Sequence, residues 1–159
     1  MLNNLAQELS IVQSLAPATD AAGRTGKYVS LKNAVGAWIL VQIGQGDANT
    51  VLLSPKQAEA VAGTNVKVLA NAVPIWVNSD TANTANFTRA TDAVNYTTTA
   101  AVTPKAVLFQ IPPDLLDGVN GFDCLTIVTG ASNVGNITAS TILVDNKYKG
   151  EPPVSVIVD

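Results

Sequence analysis

The sequence predicts a mainly β protein: a single antiparallel β-sandwich or barrel, jelly-roll-like, with one short helical arm at its N-terminus. Three observations carry that expectation. The chain is 47% hydrophobic but only 5% aromatic, so its apolar content is aliphatic, with Val and Thr prominent. Both are β-branched residues that fit a pleated, half-buried surface better than a helix. Short apolar runs recur along the chain, and Gly, Pro, Asn and Asp separate them. Helix signals are confined to two short segments and a single turn. At 159 residues the chain suits one domain with a core large enough to fold without disulfides or metals.

Taken in order, residues 2–15 read as an amphipathic helix. Leu2, Leu5, Leu9 and Val12 recur at three-four-three spacing and form one stripe, and Pro17 ends the pattern. Two readings stand side by side: a helix packed on its own domain, or an arm docking on another subunit. Residues 16–26 are small and polar and read as an extended linker. The expected division is therefore an arm over 1–26 and a sandwich over 27–159. On that division, deleting residues 1–20 leaves a folded domain that assembles less well.

The strand candidates begin at 27–32, which alternates, and 37–43, nearly continuous apolar as in a strand covered on both faces. Residues 50–53 follow. Ser54-Pro-Lys-Gln57 then has the form of a capping box with proline at the first helical position, which predicts a short helix over 55–62 closed by Gly63. Further strands are expected at 66–69, 73–77, 94–98, 105–111, 124–128, 137–144 and 154–158. Residues 78–93 read as a long exposed loop with a short strand at 86–89, and 115–118 as one helical turn.

Residues able to do chemistry are scarce. The chain has no histidine, which removes Ser-His and Cys-His nucleophile designs and nearly all zinc sites. Its single cysteine, Cys124, lies in an apolar run and reads as a small core residue. Asp80, Asp92, Asp114, Asp117 and Asp123 fall at turns, where carboxylates hydrogen-bond their own backbone. Gly44-Gln-Gly46 lacks the third glycine or the Lys-Ser/Thr of a phosphate cradle. No catalytic, cofactor-binding or metal residue is assigned, and no enzyme is expected.

A net charge of −3 gives no general attraction to nucleic acid. No run approaches the ~20 apolar residues of a membrane span. The N-terminus has no signal-peptide pattern, so synthesis without export is the expectation. Arg24, Lys27 and Lys32 are the one basic concentration, read either as a patch meeting an acidic partner or as a solvated strand end. Trp38 and Trp76 lie in apolar strands and are expected to anchor the core.

Several stretches resemble a family of tailed-bacteriophage head decoration proteins, also called auxiliary capsid or cement proteins. They are DAAGRTGKYVSLKNA at 20–34, QGDANTVLLSPKQAEAVAG at 45–63, NAVPIWVNSDTA at 71–82, FQIPPDLLDGVNGFDC at 109–124 and TGASNVGNITAS at 129–140. The resemblance implies a β-rich virion protein on the outer surface of the head, often a homotrimer, with the major capsid protein as partner and no cofactor, nucleic acid or membrane. The candidate interface residues are Leu2, Leu5, Leu9, Val12, Arg24, Lys27 and Lys32. Competing expectations are a glycan- or surface-binding module using loops 78–93 or 129–137, and a tail or connector subunit.

Overall fold

A computed structural model of the chain describes residues 5–149 and 154–159. Two antiparallel sheets face each other across one aliphatic core, and neither closes into a barrel. The first sheet comprises β1 (Leu9–Thr19), β12 (Asn136–Asn146), β4 (Ala34–Gln45), β10 (Pro104–Ile111), β7 (Ile75–Asn78) and β8 (Thr88–Arg89), in that spatial order. The second runs β2 (Arg24–Thr25), β11 (Cys124–Thr129), β5 (Leu52–Ala58) and β6 (Lys67–Val68). There, β3 (Val29–Ser30) also pairs with β11, and β9 (Tyr96–Thr97) with β5.

Alternation explains the core. On β4, Ala37, Ile39, Val41 and Ile43 point inward and are buried, while Trp38, Leu40, Gln42 and Gly44 point outward. Register carries the same inward rows through Val107, Phe109 and Ile111 of β10 and Ile142 and Val144 of β12. Leu53, Leu125, Ile127 and Val29 oppose them from the second sheet.

Three expectations are corrected. The helix over 2–15 is, among the described residues, one turn, α1 (Leu5–Glu8), and the chain from Leu9 is a strand paired with β12. A short isolated helix is marginal, whereas pairing with β12 satisfies the backbone and buries Leu15 to 4% exposure. Pro17 sits in the register shift between Leu15 and Ala18, where a strand tolerates a missing N–H. The extended linker expected at 16–26 is thus partly sheet.

The helix over 55–62 is also absent, because Ser54 to Ala58 belong to β5. Ser54 precedes proline and is pushed to extended backbone, a conformation that a helix N-cap and a strand residue share, so the local signal does not choose between them. Pro55 falls in the gap between β9, which pairs with Leu52 and Leu53, and β6, which pairs with Lys56 and Gln57. Gln57 is fully buried: its Nε2 donates to the Val68 carbonyl at 2.8 Å, and its Oε1 accepts the Asp117 N–H at 2.7 Å. Gly63 is left-handed as expected, at φ 77°, but it closes a turn bridged by Ala60 and Thr64. A Cβ there would meet the Tyr28 ring at 2.9 Å.

The strand expected at 154–158 is instead a tail without strand structure. It crosses the end of the sandwich, with the Val156 carbonyl accepting the Ser30 N–H at 2.7 Å and Val156 itself 7% exposed.

Candidate assembly surfaces

Several of the groups capable of chemistry are tied up in structure. Cys124 is fully buried, and burial, then its hydrogen bond to Asp123, pushes its thiol up to about 12. The native protein is therefore expected to resist iodoacetamide at mildly alkaline pH, and the urea-unfolded protein to react fully. A native alkylation rate near that of free cysteine would contradict this burial.

Asp117 accepts hydrogen bonds from Lys67 and Asn120, which hold its carboxyl below the usual carboxylate range. Asp92 pairs with Arg89, Asp123 with Lys32, and Asp80 accepts from Asn83 at the start of the long loop. Among the described residues no three His, Cys, Asp or Glu side chains gather as a metal would require.

The candidate interface residues do not form one patch. Arg24 is a structural residue. Its Nε donates to Asp20 Oδ1 at 3.0 Å, Nη1 to the Ala16 carbonyl at 2.9 Å, and Nη2 to the carbonyls of Ala18 and Thr138 at 3.1 and 2.8 Å. Asp20 is fully buried and also accepts from Thr129 Oγ1 at 2.8 Å. The guanidinium thereby ties the end of β1 to β12, and through Asp20 to β11. Lys32 stands apart, near Asp123 and Asp159.

Leu5, Leu9, Val12 and Lys27 gather near the N-terminal corner, whereas Leu2 lies outside the described residues. A groove of about 550 Å³ opens beside β1, lined by Leu9, Ile11, Val12, Lys27 and tail residues 154–157. Ile11, Val154 and Ile157 are 54, 47 and 50% exposed.

A second surface escaped the sequence reading. Trp38 and Trp76, expected in the core, point to the outer face of the first sheet and are half-buried. Cross-strand register sets Ile11, Leu143, Trp38 and Gln110 in one row, and Gln13, Thr141, Leu40, Leu108, Trp76 and Arg89 in the next. The Arg89 guanidinium lies 5.3 Å from the Trp76 ring centre, a cation–π distance. The Trp38 indole leans over Gly36, whose missing Cβ would stand 3.5 Å from Cη2. The run at 37–43 is therefore covered on one face only. Reading it as continuous apolar hid the alternation: small and β-branched residues inward, Trp, Leu and Gln outward.

Fold and surfaces together define a two-sheet antiparallel sandwich whose outer sheet face and N-terminal corner are rich in apolar side chains. No known protein family and no curated protein matches the chain. Among solved structures it aligns with the SPBc2 prophage-derived protein YomS at TM-score 0.46 and 10% identity, over 86% of this chain and 93% of that one. A carbohydrate-binding module specific for non-crystalline cellulose aligns at TM-score 0.24 and 12% identity, over 78% of this chain and 61% of that one. Alignments this loose transfer no function.

Proposed function

We propose that this chain is a structural virion protein of a tailed bacteriophage, a decoration or cement protein that binds the outside of the head. Its partner is the major capsid protein, and its copy number on the head is three per site. The observation that carries the reading is the outer face of the first sheet. A sheet face with both tryptophans, Leu40, Leu108 and Leu143 half-buried suits contact with another protein. The family resemblance of the segments at 20–34, 45–63, 71–82, 109–124 and 129–140 supports the same reading. A shell reinforced by many symmetric copies gains avidity from each weak contact.

Co-sedimentation with heads of the parent phage lacking this protein tests it. Saturable binding is expected. Trp38→Glu combined with Leu108→Glu should weaken it about a hundredfold, since a central aromatic anchor contributes about 2 kcal/mol and the smaller leucine contact adds to it. Failure of the unaltered protein to bind heads, or equal binding by the variant, would sink the proposal.

One observation favours a second reading, a glycan-binding module. Beside Trp38 lies a depression of about 180 Å³ bordered by Gly36, Gln110, Pro112 and Asp145, with an aromatic ring and polar groups adjoining. Saturable, Trp38-dependent signal on a glycan array would favour it over cementing.

A further inference from the structure

β1 ends the first sheet with only half of its free edge covered. From Ser14 onward, residues 24–27 close that edge: the Lys27 N–H donates to the Ser14 carbonyl at 3.1 Å, and Arg24 takes the carbonyls of Ala16 and Ala18. Residues 9–13 have β12 on one side and, among the described residues, no strand on the other. Exposed edges are normally blunted by charge, proline or a covering segment. Leu-Ser-Ile-Val-Gln has no charge and no proline, and it borders the apolar groove.

We propose that this edge pairs with the same edge of a second copy, antiparallel across a twofold axis, joining the two first sheets into one continuous sheet. Because only residues 9–13 are open, the pairing centres on Ile11. Leu9 then lies opposite Gln13 of the second copy, and the groove wall at Val154 and Ile157 receives that copy's strand. The register has an electrostatic consequence. Glu8, the last residue of α1, stands at one end of the open edge, and Lys27, whose N–H donates to the Ser14 carbonyl, stands at the other. Glu8 of each copy is brought beside Lys27 of the other, and neither side chain has an ion pair among the described residues. The charges at the two ends of the open edge are therefore complementary in the register that pairs all five open residues.

The contact is independent of capsid binding and of any threefold contact elsewhere, because it is measured on the purified protein alone. Native mass spectrometry and sedimentation should give an even number of copies. Ile11→Lys, which alters an exposed side chain and sets two ammonium groups opposite each other, should halve the mass while the circular dichroism stays unchanged. Lys27→Glu should weaken pairing about tenfold, and Glu8→Lys with Lys27→Glu should restore it. Hydrogen exchange should be slowed at residues 9–13 in the paired form.

An unaltered protein with the same mass as Ile11→Lys would overturn the inference, as would failure of the double charge reversal to restore pairing. If residues 9–13 gain protection only when capsid protein is added, the edge takes a foreign strand and self-pairing is wrong.

Discussion

Deleting residues 1–20 is expected to abolish the cooperative fold, the opposite of what an arm-and-domain reading of the sequence suggests. The deletion removes β1, which pairs with β12 along most of its length. Burial of Leu15, 4% exposed, contributes about 2–3 kcal/mol. Each lost ladder hydrogen bond adds about 1 kcal/mol net. The total exceeds about 5 kcal/mol, comparable with the whole stability of many domains. The cut would also turn β12, whose inward Ile142 and Val144 are fully buried, into a raw edge. Urea unfolding followed by circular dichroism should show no sharp transition for the truncated chain. A midpoint close to that of the full chain would show that β1 is dispensable to the sandwich.

Arg24→Ala should destabilise the protein by about 2–4 kcal/mol, toward the lower part of the range for breaking a buried ion pair. The discount reflects the 21% exposure of the Arg24 side chain, which leaves one end of the interaction open to water. Asp20, fully buried, would be left facing Thr129 without its cation, and the carbonyls of Ala16, Ala18 and Thr138 would lose a shared donor. Arg24→Lys should recover only part of the loss, since a single ammonium cannot reproduce a planar fork reaching four groups. Denaturant titration of the two variants checks both figures. A loss below about 0.5 kcal/mol for Arg24→Ala, typical of a surface substitution, would mean that the network is ornamental to stability.

The body of the fold was legible because its signal is local. The runs at 37–43, 105–111, 124–128 and 137–144 became β4, β10, β11 and β12 with boundaries shifted by at most a few residues. There, β-branched residues alternate or cluster between turn formers, and backbone preference agrees with burial. The loop over 78–93 with its short strand at Thr88–Arg89, and the turns after Pro112, were legible for the same reason.

The misreadings fall where one pattern satisfies two periods. Leu2, Leu5, Leu9 and Val12 make a helical stripe, yet Ile11 and Leu9 against Val12 and Ser10 also alternate as a strand does. The availability of β12 as an edge decided between them. Ser54-Pro-Lys-Gln57 satisfies a helix start in isolation, but Gln57 found better partners in Val68 and Asp117. Those residues are 11 and 60 positions away, beyond the reach of any local rule.

For the candidate surfaces, the sequence alone indicated where apolar and basic residues concentrate near the N-terminus, and that histidine-based chemistry is absent. It could not say that Arg24 is spent on Asp20 while Lys27 is left at a groove, since both are simply cations near a predicted strand. Nor could it say which face of β4 is covered. An apolar strand's two faces are equivalent in sequence until a second layer lies on one of them. Composition and alternation thus determined a β-sandwich, because strand formation depends on neighbours along the chain. Which tryptophans face outward and which edge stays open were decided only by the tertiary structure, because those depend on what the rest of the chain fails to cover.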